Sequence, residues 1–184
     1  MRAQSRYEKG EFEAAIADYS KAIALKSDDA SLYGGRAFAE MKKADNPAAV
    51  EDFSKAIELK PDEGAYYTAR SYLYVGQGDW AKAIDDFTHL IVLKPDDKDL
   101  VLRRADLYLK LNKLSEAVTD YDTVLQTDPE NVVALAGKGE VFAKQGNRRA
   151  GAEELRKALQ MASDPKSKER IQSKLREIGV GPLQ

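Results

Sequence analysis

Cysteine is absent from the 184 residues, and histidine occurs once, as His89. The first absence excludes disulfides, thiolate metal sites and cysteine nucleophiles. The second leaves a single imidazole for acid–base or metal chemistry, and its position one residue before an inward column reads as a surface histidine. No apolar run approaches the roughly 18 residues that span a bilayer. The opening residues MRAQSRYEKG contain no apolar signal core. Charge of one sign is also lacking: the formal net charge is −2, with no bulk drive toward nucleic acid or an anionic membrane. No GxGxxG or GxxxxGK[ST] loop occurs to cradle a phosphate. The acidic pairs Asp28-Asp29, Asp62-Glu63 and Asp96-Asp97 lack the spacing of a calcium loop and fall near helix starts, where acids are favoured. The inventory therefore names no catalytic residue, no metal site and no cofactor, and we expect a protein that is not an enzyme.

What is present is a period. Ala15, Ala49, Ala83, Ala117 and Gly151 stand 34 residues apart. Tyr19, Phe53, Phe87, Tyr121 and Leu155 keep the same interval, as do Ile23, Ile57, Ile91, Leu125 and Leu159. Pro61, Pro95 and Pro129 close three of the units. A strict period of this size marks a supersecondary unit stacked on copies of itself. Within each unit the apolar positions follow helical spacing on either side of a turn. The expected helix pairs are 30–43 with 47–60, 64–77 with 80–93, 98–111 with 114–126, and 132–145 with 148–161, preceded by 1–9 with 12–25. Gly10, Gly78 and Gly146 mark the turn, and Asn112 replaces them in one unit. Ala44 breaks the column; there Asn46 is the expected N-cap, with Pro47 at the first helical position. A last helix near 166–178 buries Ile171, Leu175 and Ile178 and turns Lys168, Glu169, Arg170, Lys174 and Arg176 to water, ending at Gly179. The tail VGPLQ is expected to fray.

The columns carry physical reasons. Small residues at Ala37, Ser71, Ala105 and Gly139 face those at Ala49, Ala83, Ala117 and Gly151, so the two helices of a unit approach closely. Phe53, Phe87 and Tyr121 wedge beside the next unit. Trp80 is expected to pack over the turn at the start of its helix. Arg2, Arg36, Arg70 and Arg104 also repeat at 34, with Asp18, Asp52, Asp86 and Asp120. Each pair is expected to join the helices of one unit, with Lys138 and Glu154 exchanged for them in the fifth.

These columns resemble the tetratricopeptide repeat family in its common bacterial form, from about Met1 to Ser163. The departures are Leu90 and Val124 in a small-residue column, Glu40 where Tyr74 and Tyr108 stand in the next units, and Ser163 in place of a closing proline. The resemblance implies an all-α solenoid, a right-handed superhelix of helix–turn–helix repeats with a C-terminal capping helix. The expected organisation is one domain over 1–184: a truncated repeat over 1–29, repeats over 30–63, 64–97, 98–131 and 132–163, and a cap over 165–179. The first unit's start would lie before Met1, which reads as a fragment of a longer protein. The resemblance also implies a concave groove that binds a peptide segment or a partner protein without catalysis. Its lining changes from small and apolar near the N-terminus to charged near the C-terminus. The residues expected to bind are Gly34, Gly35, Phe38, Met41, Thr68 and Tyr72, with Arg103 and Lys110 orienting a charged flank. Two glycines in a helix cost roughly 1 kcal/mol each relative to alanine. The reason is either close approach of a partner or tight contact with an adjacent repeat. The clamp that one subclass uses for chaperone C-termini does not fit: of its positions only Arg103 matches. The alternative function is self-association, a homodimer among its forms, through an apolar edge of the first unit at Ile16, Tyr19 and Ile23. The expected partner is a protein, with no nucleic acid and no membrane insertion; a soluble chain of the cytoplasm or the periplasm fits equally.

Overall fold

In the structure, a computed structural model describing residues 2–179, every regular element among those residues is a helix. The chain divides into two compact units, 1–93 and 94–184. The first holds α1 (Arg2–Glu8), α2 (Phe12–Leu25), α3 (Ala30–Lys42), α4 (Asn46–Leu59), α5 (Gly64–Gln77) and α6 (Trp80–Leu93). The second holds α7 (Lys98–Lys110), α8 (Leu114–Thr127), α9 (Val132–Lys144), α10 (Arg148–Met161) and α11 (Pro165–Glu177). The tail 180–184, expected to fray, lies outside the described residues. Inside each unit, consecutive helices pack on one another as helix–turn–helix repeats. Among the described residues no helix is long and apolar enough to cross a membrane.

The ends of the helices follow from local chemistry. Asp29, Asp97, Asn131, Asn147 and Asp164 each accept a backbone N–H of the first turn that follows them. Gly10, Gly78 and Gly146 adopt φ of +78°, +78° and +84°, a region open to glycine, and Asn112 takes it at +57°. Ala44 takes it too, at φ +60°. The column therefore keeps its conformation in the second repeat despite the alanine. The expected N-cap there is corrected: Asp45, not Asn46, precedes the helix, and its carboxylate accepts from the Ala48 N–H. A left-handed residue at 44 leaves position 45 to cap, as Asn147 does after Gly146.

Close approach of the paired helices is carried by the small-residue columns. Ala37, Ala49, Ser71, Ala83, Ala105 and Ala117 are fully buried. A Cβ added at Gly139 would meet the Gly151 carbonyl oxygen at 2.9 Å, and one at Gly151 would meet that of Gly139 at 2.8 Å. Phe53 sits between its own repeat and the next, with the Phe38 ring edge-on at 5.0 Å and the Tyr66 ring at 6.3 Å. Leu90 fills its small-residue position by reaching toward Gly64. In the second unit Ile171 and Leu175 of α11 close the core over Leu155 and Ala158. Each contributes roughly 1.5–3 kcal/mol by leaving water. Two expectations are corrected by this burial. Tyr19 is 3% exposed, and Ile16 and Ile23 are half-buried against the cluster of Ala3, Ala15 and Leu32, so this edge is covered at Tyr19 and only partly open at the two isoleucines. Lys174 does not face water: it is half-buried and paired with Glu140.

The periodic ion pairs form as bidentate forks. Nε and Nη2 of the arginine donate to the two aspartate oxygens at 2.7 and 2.6 Å in Arg2–Asp18, and at 2.5 and 2.7 Å in Arg36–Asp52. The distances are 3.0 and 2.6 Å in Arg70–Asp86, and 2.8 and 2.7 Å in Arg104–Asp120. Burial pushes the Asp86 carboxyl up against the pull of Arg70. The fifth pair is corrected. Lys138 donates to Asp122 at 2.6 Å, and Glu154 pairs with Lys157 instead. The reason lies in a second contact the arginines make: Nη1 of Arg36 and of Arg70 donates to Ser20 and Ser54, on the last helix of the preceding repeat. A lysine is a point charge that cannot span both partners. At 138 the serine's place is taken by Asp122, and the charge goes there.

Candidate partner-binding surfaces

The first helices of the repeats in the first unit line an open depression of about 400 Å³. Gln4 and Tyr7 of α1, Ser31, Gly34, Gly35 and Phe38 of α3, and Tyr66 of α5 form its surface. None of these side chains is charged. The rings of Tyr7, Phe38 and Tyr66 wall it, and the Ser31 hydroxyl, the Gln4 amide and the tyrosine hydroxyls are its polar groups. Such a lining suits an apolar side chain that brings a few polar atoms with it.

Why two glycines stand here is settled by their neighbours. A Cβ at Gly34 would lie 2.3 Å from the Tyr66 ring, and one at Gly35 would lie 2.5 Å from the ring of Tyr19. Both distances are impossible for real atoms, so both rings need glycine. The close approach is thus made by the chain's own tyrosines from the neighbouring repeats. Gly137 repeats the arrangement in the second unit, with the Tyr121 ring at 2.2 Å from its added Cβ. Both tyrosines are pinned at the far end. Tyr19 Oη donates to Gln4 at 2.8 Å, and Tyr121 Oη donates to Asp106 at 2.6 Å. Where the column holds Phe53 there is no hydroxyl to pin, residue 38 is a phenylalanine, and residue 69 is an alanine.

Of the residues expected to bind, the depression brings together Gly34, Gly35 and Phe38. Phe38 is half-buried and also packs on the core, as does Met41. Thr68 is half-buried, and its hydroxyl donates to the Gly64 carbonyl one turn earlier. Tyr72 is 46% exposed. Arg103 and Lys110 are exposed on α7, in the second unit. Tyr7 and Tyr66 were not on that list. Gly34 signals a close approach in the sequence, but only the structure shows that the Tyr66 ring makes it. His89 is exposed, with its ring stacked on Tyr67 at 5.1 Å. Trp80 is half-buried at the first position of α6.

The second unit has a smaller cavity on its own first-helix face, about 50 Å³ between α9 and α11. Val132, Val133, Ala136 and Ile171 give it apolar walls, and Asp106, Glu140, Arg170 and Lys174 bring charge to it. Burial pushes the Lys174 ammonium down, against the opposing pull of Glu177 and Asp106. Burial pushes the Tyr121 hydroxyl up, and Asp106 adds to it. Among the described residues no group of three or more His, Cys, Asp or Glu side chains could hold a metal ion.

Comparison with known proteins agrees with this geometry. The family model for the TPR repeat matches residues 3–43 and 105–146, and that for the tetratricopeptide repeat matches 35–98. No curated protein matches the sequence. Among solved structures, the crystal structure of YrrB, described as a TPR protein with an unusual peptide-binding site, superposes with a TM-score of 0.76 at 23% identity. That match covers 93% of this chain and 88% of the other. A MamA fragment from Desulfovibrio magneticus RS-1 gives a TM-score of 0.67 at 16% identity, over 86% of this chain and 90% of its own. The structure of Naa15/Naa10 bound to HypK-THB gives 0.76 at 17%, over 97% of this chain and 28% of that one. At these identities the likeness is one of fold. With its repeats matched by the family models and its helix pairs in place, the chain belongs to the tetratricopeptide repeat family.

Proposed function

We propose that this protein is a non-catalytic scaffold that holds a peptide segment of a partner protein on its first-helix faces. The observation that carries the reading is the uncharged, aromatic-walled depression in the first unit, with Gly34, Gly35 and Phe38 in its surface. An aromatic or bulky aliphatic side chain of the partner seats there, where desolvation of apolar surface supplies the binding energy. Tyr72, half exposed on α5, adds a second apolar contact in the same unit, and the half-buried Met41 and Thr68 complete the docking surface. Arg103 and Lys110, on the second unit, meet acidic groups of the partner and set orientation and encounter rate more than affinity. The peptide-binding site described for YrrB is consistent with this use of the fold. Self-association through the first repeat draws no support from a Tyr19 that is already covered.

The test is selection from a phage-displayed library of random dodecapeptides on the intact chain. The expected pool is rich in Trp, Phe, Tyr, Leu or Ile anchors. Ser31→Trp, at an exposed rim position, fills the depression without entering the core and should abolish that pool. An identical pool from the filled variant would refute the reading.

A further inference from the structure

We infer that the cavity between α9 and α11 is a second subsite, which takes an acidic side chain of a bound peptide beside a small aliphatic one. The inference rests on the reading of the protein as a peptide-holding scaffold, and it concerns the second unit alone.

The internal pairing of charges selects the sign of the guest. Four charged side chains surround the cavity: Asp106 and Glu140, Arg170 and Lys174. Glu140 is taken by Lys174, and Asp106 holds the Tyr121 hydroxyl at 2.6 Å. Arg170 is exposed on α11 and makes no hydrogen bond or ion pair among the described residues. It nevertheless lines the cavity, so its guanidinium stands at the cavity's rim between that space and solvent. A basic guest would have to draw Asp106 away from Tyr121 or Glu140 away from Lys174, both half-buried arrangements. An acidic guest displaces nothing: it meets a guanidinium whose planar fork matches a carboxylate.

The aliphatic half of the guest follows from the walls. Val133 is 47% exposed, an unusual state for a valine on a helix that has a buried face to offer. It stands with Val132 and Ala136 around a space of about 50 Å³, enough for a methyl or isopropyl group and too small for an aromatic ring. The guest is therefore an Asp or Glu within reach of an Ala or Val. The first unit's depression, larger and without charge, selects something else.

The same dodecapeptide library separates the two sites. On the full chain carrying Ser31→Trp, the expected pool keeps Asp or Glu near Ala or Val. Adding Arg170→Glu should lower that enrichment about tenfold and turn it toward Lys and Arg, the effect of losing one charge-assisted contact. Arg170→Lys should retain acidic peptides, and Val133→Asp should lose them by repulsion. Both positions are exposed, so unchanged melting curves accompany each change. Acidic enrichment that survives Arg170→Glu, or a basic pool on the unaltered subsite, overturns the inference. If only aromatic-anchored peptides are selected and only Ser31→Trp removes them, this subsite is refuted while the first unit's reading stands. If acidic peptides persist and aromatic ones never arise, the reverse holds. Empty pools from every chain refute both.

Discussion

At Glu40 a carboxylate occupies the place that a tyrosine ring holds in two other repeats. Tyr74 and Tyr108 lie beneath the guanidinium groups of Arg70 and Arg104, 5.7 and 5.8 Å from them. Glu40 is 7% exposed, its Oε1 is 3.8 Å from Arg36 Nε, and its Oε2 is buried without a hydrogen-bond partner. Burial, reinforced by Asp52, Asp45 and Glu51 and opposed by Arg36, pushes its carboxyl up to about 7. The folded value lies above the ordinary one near 4.5. The stability associated with this proton is therefore complete in acid, below that ordinary value, and is lost as pH rises through about 7. Glu40→Gln should be more stable than the parent at pH 8, by about 1 kcal/mol, and the gap should close at pH 4; thermal melts at both values check it. The tyrosine–glycine couples make a second prediction at this scale. Gly137→Ala should cost about 1–3 kcal/mol by overpacking against the Tyr121 ring. Tyr121→Phe releases the ring from Asp106 and should recover part of that loss, so a double-mutant cycle in urea should show coupling. Neither effect was legible in the sequence, where a glycine within a helix points to close approach without saying by what.

The helices themselves were legible almost to the residue, because their signals are local. Turn glycines at 10, 78 and 146, capping Asp or Asn side chains, and Lys-Pro-Asp stops at 60–62 and 94–96 sit at fixed places of the 34-residue period. The misreading at Asn46 has the same local origin. Proline after asparagine looks like a cap followed by a first turn, but the left-handed Ala44 hands the capping role to Asp45. An alanine at φ +60° is strained where glycine is not. Ala44→Gly should therefore stabilise the chain by about 1 kcal/mol, measurable as a higher urea midpoint with unchanged slope. The Lys138 partner was misread because period alone cannot show which of two neighbouring acids is within reach. Removing Asp122 with Asp122→Ser should destabilise the α8–α9 contact, while Glu154→Gln should be near neutral, since the ion pair of Glu154 among the described residues is with Lys157 on its own helix.

Each unit of the whole molecule is built from nearest-neighbour contacts, so each repeat's core depends on the next one along. Phe53 shows the consequence. Fully buried between two repeats, its loss should cost about 3–5 kcal/mol as Phe53→Ala. Phe38, edge-on to that ring, serves core and surface together. Phe38→Ala alone therefore cannot separate a binding defect from an unfolding one, and a rim position is the better probe. The family was legible from the repeat pattern, and the candidate surface only in part. The pattern placed Gly34, Gly35 and Phe38 on one face, but their complement, Tyr7 and Tyr66, belongs to other repeats and depends on how rings fill the space between helices. The central claim is that a partner's apolar side chain seats in that depression. It is tested most directly by calorimetric titration of the full chain and of Ser31→Trp with one aromatic-anchored peptide selected on the parent. The account predicts a Kd at least about tenfold weaker for Ser31→Trp, with the chain still folded and its melting temperature lowered only slightly by loss of the exposed Ser31 Oγ–Asp29 hydrogen bond. An equal Kd for the two chains would contradict it.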